Sequence, residues 1–394
     1  MFHSALRRSR PNLSLKAPIL AGGVSAITGV AASTGVVLAA MKGLGASDGQ
    51  ILSIIFVATA GYGLLSILLS LRYKMPLSIV WSTPGAAMLV AAGTLNLGFP
   101  VAVGSFIMSG VLLTLTGLWP TLGRLVSSIP KPIASAMLAG VIFSFCIAPF
   151  KVITTNPWVI LPALAVWLVL YRFATIWAAP AAIAVMGVVI AITVPIPSAN
   201  FSLIPHIEFT MPEFTLTGLF SIAIPLYLVT MASQNIPGIA IMKTYDFEVP
   251  FKPVMVTTGL ASVVSAPIGG FAFNLAAITA AINANEHAHP DHKKRYLASV
   301  YGGVIYLILA ILAVPFVAVV LNVPHELILA MAGVALFATI TSAMTVATED
   351  SQIRLPAVIT FLVGASGFAV WGIGAAFWAL ASGVAVWQVL KNRS

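Results

Sequence analysis

The side chains of this sequence that can do chemistry are few, neutral and clustered. The densest group is Thr230-Met231-Ala232-Ser233-Gln234-Asn235-Ile236-Pro237-Gly238, where two adjacent amides, Gln234 and Asn235, interrupt an apolar run. A buried amide must find partners, so this pair either ties helices together or reads a polar group on a substrate. Two other stretches, Trp81-Ser82-Thr83-Pro84-Gly85-Ala86-Ala87-Met88 and Phe271-Ala272-Phe273-Asn274-Leu275-Ala276-Ala277-Ile278, each join a short β-prone aromatic run to a helical run of small residues. Ser82, Thr83 and Asn274 are helix-capping types, and Pro84 suits a first helical turn. A helix that starts inside a membrane offers unpaired N–H groups and the positive end of its dipole, and so holds an anion without a cationic side chain. For Ser82, Thr83 and Asn274, capping and anion binding are then one arrangement. Trp81, Phe271 and Phe273 carry two readings, stacking on an aromatic ligand or ordinary apolar filling. Ser25, Thr28, Ser33 and Thr34 lie among Gly22, Gly23, Gly29 and Gly35, which reads as close helix packing first, with Ser25 facing a site second.

Ionisable groups are placed elsewhere. All ten acidic residues and all six histidines fall in or beside loops, so the expected membrane interior holds no carboxylate, imidazole, lysine or arginine. That pattern argues against a pump built on buried carboxylates, against a His or carboxylate metal site, and against an intramembrane enzyme with a nucleophile and base. No cofactor or metal is called for. Cys146 is the one cysteine, which excludes an intramolecular disulfide. The loop Glu286-His287-Ala288-His289-Pro290-Asp291-His292 is a solvated loop by default, with a proton route through Glu286 or His287 as the alternative.

The elements that must position these residues are membrane spans. The chain has 394 residues, 60% hydrophobic and 7% charged, with mean hydropathy +1.05, outside the range of soluble domains. Apolar runs bounded by Gly, Pro and charges predict spans at 17–41, 51–71, 76–93, 99–120, 130–149, 157–171, 174–194, 217–241, 252–267, 268–285, 296–321, 325–347, 355–371 and 373–390. The third and tenth pass from an extended half to a helical half, which sets both helix starts near the midplane. With both termini cytoplasmic, Lys42 and Lys151 alone of the 19 lysines and arginines fall outside, as the positive-inside rule requires. The net charge of +9 is thereby orientation and not a nucleic-acid patch. The polar, basic N-terminus (Arg7, Arg8, Arg10, Lys16) shows no cleavable signal pattern.

Fourteen spans divide as seven plus seven, and an odd repeat inserts its halves in opposite orientations. The expected fold is therefore an all-α polytopic membrane protein built as an inverted repeat. Broken segments at matching positions of the two halves point to a transporter's binding site. The Pro-rich external loop 195–216, with Pro195, Pro197, Pro205 and Pro212, separates the halves.

The stretches Trp81-Ser-Thr-Pro-Gly-Ala-Ala, Leu228-Val-Thr-Met-Ala-Ser-Gln-Asn-Ile-Pro-Gly, Ala276-Ala-Ile-Thr-Ala-Ala-Ile and Glu286-His-Ala-His-Pro-Asp resemble the bacterial benzoate/proton symporter family, over essentially the whole chain. The resemblance implies uptake of benzoate or a similar aromatic carboxylate with a proton, in the bacterial inner membrane. It implies the fold shared with nucleobase transporters and several anion exchangers. The domains would then be an N-terminal tail 1–16, core 17–122, gate 123–200, external linker 201–216, core 217–322 and gate 323–394. The site carried over lies between Ser82-Thr83-Gly85, Phe273-Asn274-Leu275 and Gln234-Asn235, and a homodimer through the gate is common in such folds. The nucleobase members place acidic residues in the eighth and tenth spans; this chain has Gln234, Asn235 and Asn274 there, which fits an anionic substrate. A transporter or exchanger of another organic or inorganic anion or of a nucleobase-like substrate, a channel, a membrane receptor and a membrane enzyme are the competing readings. The last two lack, respectively, a soluble signalling domain and a reactive constellation.

Overall fold

A computed structural model describes residues 13–119, 121, 128–193, 207–320, 323–371 and 373–391. Arg7, Arg8, Arg10, Arg124, Pro195, Pro197, Pro205 and Arg393 lie outside the described residues, as do the domain boundaries expected at 122–123, 200–201 and 322. Among the described residues, eight helices are long and apolar enough to cross a membrane by length and composition, and five shorter apolar helices accompany them.

The first half begins with α1 (Leu13–Gly43) and α2 (Asp48–Tyr73). A capping box starts α2: the Ser47 hydroxyl accepts from the Gln50 N–H at 3.1 Å, and the Gln50 side chain accepts from the Ser47 N–H at 2.8 Å. Strand β1 (Ile79–Val80) follows, then the short helix α3 (Thr83–Ala92) and α4 (Phe99–Leu118). Next come α5 (Lys131–Cys146), α6 (Ala148–Val152), α7 (Pro157–Phe173) and α8 (Thr175–Thr193).

The second half opens with the helix α9 (Leu216–Thr244), which widens into π-helix at Leu219–Ala223 and again at Met231–Asn235. A proline lies just beyond each wide turn, Pro225 and Pro237. Proline donates no N–H and its ring crowds the carbonyl four residues back, so the helix relieves the clash by widening. After α10 (Phe251–Ser265) come strand β2 (Asn274–Leu275) and the seven-residue helix α11 (Ile278–Ala284). The chain ends with α12 (Tyr296–Val320), α13 (His325–Glu349), α14 (Arg354–Ser366) and α15 (Ala375–Lys391).

The two strands meet. β1 and β2 pair antiparallel with Ile79 opposite Leu275 and Val80 opposite Asn274, and the Ala276 N–H donates to the Ser78 carbonyl at 2.9 Å. Helix packing is densest within two sets, α12 against α2 and α1, α10 against α4 and α1 against α3, and α13, α14 and α15 against α5, with α7 on α8; α1 also packs on α13 and α3 on α5, which joins the sets. The close crossings of the first set need glycine. A Cβ on Gly22 would lie 2.2 Å from the Ala298 carbonyl oxygen, and one on Gly63 would lie 2.5 Å from that of Gly303. Backbones at this range gain contact without side-chain filler, which is how helices associate in lipid. The outer face of α2 stays apolar, with Leu64, Leu68 and Leu71 exposed while Tyr62, Leu65 and Leu69 are buried.

Candidate functional site

The broken segments β1–α3 and β2–α11 bound a small cleft of about 110 Å³. Its lining comes from six elements: Thr28, Gly29 and Val30 of α1, Tyr62 of α2, Val80, Trp81 and Thr83 of the first broken segment, Gln234 of α9, Ala276, Thr279 and Ile282 of the second, and Tyr306 of α12. Val30, Val80, Thr83, Gln234 and Ile282 are half-buried, whereas Thr28, Tyr62, Trp81, Thr279 and Tyr306 are buried. The cleft thus has a partly accessible rim and a closed end.

Aromatic rings wall the closed end. Tyr62 packs edge-on against Trp81 (centroids 5.1 Å apart), Phe273 (5.6 Å) and Tyr306 (5.8 Å), while Trp81 stacks on Phe271 at 6.2 Å. The Trp81 indole N–H donates to Ser33 Oγ at 2.7 Å, which fixes the ring. Four hydroxyls at this end, Thr28, Tyr62, Thr279 and Tyr306, are buried with no hydrogen-bond partner. Each hydroxyl can donate one hydrogen bond and accept two, and an unmet one is costly when buried. Their concentration in one aromatic cleft suits a molecule with a ring and a compact polar group.

The expected site residues take different places. Thr83 and Gln234 line the cleft. Ser82 is fully buried and caps α3, its Oγ accepting from the Gly85 N–H at 3.0 Å. Gly85 stands where a Cβ would lie 2.6 Å from Leu226, so it permits close packing of α9 on α3. Asn235 is buried behind the cleft and accepts from the Leu275 N–H at 2.9 Å, while Gln234 Oε1 accepts from the Ala277 N–H at 3.3 Å. The wide turn at Met231–Asn235 aims both amides at the second broken segment. Phe273 and Leu275 are buried among apolar residues outside the lining.

Asn274 differs from the capping role expected of it. It lies in β2, its Nδ2 donates to the Ala272 carbonyl at 2.7 Å, and α11 starts after Ala277 without a side-chain cap. The reason is that strand pairing with Val80 carries the chain beyond Asn274 before it turns helical.

Ser25 sits one helical turn from Thr28 and belongs to a second buried cluster. Asn283 Nδ2 reaches Ser78 Oγ at 2.8 Å, Ser299 Oγ at 3.2 Å and Ser25 Oγ at 3.3 Å, with Ser78 and Ser299 3.0 Å apart. Beyond it, Arg295 donates to the carbonyls of Ala284 (2.8 Å) and His289 (3.0 Å). Glu286 and His287 are exposed, and the Asn285 side chain caps their loop by accepting from the His287 and Ala288 N–H groups. Among the described residues no group of three His, Cys, Asp or Glu is placed to hold a metal.

A second cleft of about 180 Å³ lies at the other end of α3, between Thr94 and Leu95 on one side and Ser144, Phe145, Gly364 and Gly374 on the other. Helix α3 therefore touches one cleft with its first turn and another with its last.

The two phenols Tyr62 and Tyr306 escaped the sequence reading. No motif marks them; the available signal was a hydroxyl-bearing ring in the middle of an apolar helix, which must find a partner.

The profile of the family described as benzoate membrane transport protein (BenE) matches residues 13–389. The inner membrane protein YdcO of Escherichia coli K12 is 36% identical over 375 residues, covering 95% of both chains. The benzoate membrane transport protein of Acinetobacter baylyi is 32% identical over 352 residues, covering 87% of both. Among solved structures, the transmembrane domain of the cyanobacterial bicarbonate transporter BicA matches with TM-score 0.58 at 15% identity, covering 93% of this chain and 97% of that one. The murine anion transporter Slc26a9, in its inward-facing state, matches with TM-score 0.63 at 12% identity, covering 98% of this chain and 69% of that one. These two likenesses are of fold.

Proposed function

The chain belongs to the benzoate membrane transport family, a multi-pass membrane transporter and not an enzyme, and from that premise we propose that it imports benzoate or a similar aromatic carboxylate with a proton. The observation that carries this reading is the cleft in which four unpartnered buried hydroxyls meet an aromatic wall. The carboxyl group sits among Thr28, Tyr62, Thr279 and Tyr306, and the ring lies toward Val30, Val80 and Ile282 at the rim. Thr83 and Gln234 flank it. Ser82, Gly85, Asn235, Phe273, Asn274, Leu275 and Ser25 act behind the lining, holding the two broken segments and the serine cluster in register.

The half-helix starts are weaker anion holders than free N-termini. Ser82 already takes the Gly85 N–H, Pro84 has none, and Asn235 and Gln234 take those of Leu275 and Ala277. What remain to read the substrate are the hydroxyls and the N–H groups of Thr83 and of the first turn of α11, Ile278–Ala280.

The chain crosses the bacterial inner membrane fourteen times as two inverted repeats of seven, with both termini cytoplasmic. The set containing α1–α4 and α9–α12 forms a core, and α5–α8 with α13–α15 forms a gate. Movement of core against gate opens the substrate cleft to either side in turn. The second cleft, between α3 and α5, is the outer vestibule. A homodimer joined through the gate keeps the gate fixed in the membrane while the core moves. Glu286 and His287 sit at the cytoplasmic mouth, where a proton is exchanged with water.

Uptake of radiolabelled benzoate into proteoliposomes, with and without an inward proton gradient, tests the reading. Saturable, gradient-driven accumulation that falls about tenfold in Tyr306→Phe combined with Thr279→Val supports it. Vesicles that move bicarbonate or chloride but no benzoate overturn the substrate and leave the fold.

A further inference from the structure

The cleft is largely apolar, and its polar groups are uncharged. None of its twelve lining residues is Lys, Arg, His, Asp or Glu. The charged residues on the elements around it stand at their ends: Lys16 and Lys42 on α1, Asp48 and Arg72 on α2, Lys243 on α9, with none on α3, α11 or α12. The titratable groups that face the cleft are the phenols of Tyr62 and Tyr306. Arg295, beyond the Asn283 and serine cluster, spends its guanidinium on two backbone carbonyls.

A bare carboxylate in such a place has no countercharge, and it accepts hydrogen bonds without donating any. The polar side chains it would meet at the closed end are hydroxyls that accept as readily as they donate, with the Gln234 amide at the rim. A carboxylic acid suits them better, because its O–H finds an acceptor and its carbonyl finds donors.

We propose that the species this cleft holds is the neutral aromatic acid, so that the substrate's own carboxyl group carries the coupled proton. The proposal rests on the reading of the cleft as an aromatic-carboxylate site. On one side of the membrane the carboxylate takes a proton from hydronium, forming its O–H bond and leaving water. On the other side that bond breaks, the proton returns to water and the carboxylate departs. One benzoate and one proton cross together, no net charge moves, and no group lining the cleft is protonated.

The test is calorimetric binding to the purified full chain in nanodiscs between pH 5.5 and 8, in two buffers of different ionisation enthalpy, with three probes of similar shape. Benzoate can be protonated, benzamide is neutral throughout, and benzenesulfonate stays anionic. The expected result is benzoate affinity falling tenfold per pH unit above its own pKa with one proton taken up per molecule bound. Benzamide then binds independently of pH and benzenesulfonate does not bind. Thr279→Val weakens benzoate and benzamide by the same factor, which ties both to this cleft. Benzenesulfonate binding as tightly as benzoate, or benzoate affinity that is flat with pH and without proton uptake, overturns the proposal. Benzenesulfonate binding together with proton uptake would instead assign the proton to a protein group and overturn it as well. If neither benzoate nor benzamide binds at any pH, the aromatic-carboxylate reading fails and takes the proposal with it.

Discussion

The hydroxyl of Tyr306 occupies the space that a side chain on Gly29 would need: a Cβ built on Gly29 lies 2.7 Å from that oxygen. α1 and α12 are thus matched at the closed end of the cleft, one by omitting a side chain and the other by presenting a phenol. Gly29→Ala should displace the phenol and narrow the site, lowering benzoate affinity at least tenfold. Thermal unfolding of the purified variant should stay within a few degrees of wild type, since the clash is with the far end of one side chain.

Tyr62→Phe and Tyr306→Phe remove one hydroxyl each and keep the ring. A hydrogen bond to substrate is worth about 0.5–1.5 kcal/mol net, so each variant should bind benzoate roughly 2- to 13-fold more weakly. Neither should lose stability, because the deleted hydroxyl has no partner in the protein. Paired binding and unfolding measurements check this: equal loss in both would make the phenols structural.

Asn235→Ala should act oppositely. Asn235 is fully buried and accepts from the Leu275 N–H. Its loss leaves a buried donor unmet, at a cost of about 1–3 kcal/mol, and frees β2 to shift. Lower denaturation midpoint and lost transport should appear together.

Much of this was legible in the sequence, because apolar length, loop charge and the Ser-Gln-Asn-x-Pro-Gly and Trp-Ser-Thr-Pro-Gly stretches are local properties of the chain. The cleft was legible in part. Thr83 and Gln234 carry polar groups in conspicuous places, whereas Tyr62, Thr279 and Tyr306 acquire meaning only when α2, α11 and α12 converge. Asn274 resembles a cap in the sequence because capping and strand residues look alike when the strand's partner lies in the other half of the chain.

Pro237→Ala tests the wide turn. Alanine is the better helix former, so the segment should relax toward regular α-helix and gain local stability. Relaxation would rotate Gln234 and Asn235 away from Ala277 and Leu275. Transport should therefore fall while helicity by circular dichroism holds or rises.

The pairing of β1 with β2 also bears on how the protein is made. Ser78 and Ile79 leave the ribosome long before Leu275 and Ala276, the residues that complete their ladder. Ser66 and Ser70 of α2 already satisfy the Ile79 N–H and the Leu77 carbonyl, but until then the Ser78 carbonyl lacks the partner it has in the finished protein, and lipid cannot supply one. The first broken segment must wait beside water or the insertion machinery for its counterpart. Lateral release of the early segments into the bilayer and completion of the substrate cleft are then one late event in biogenesis, and a nascent chain stopped before β2 would be held as an unfinished client.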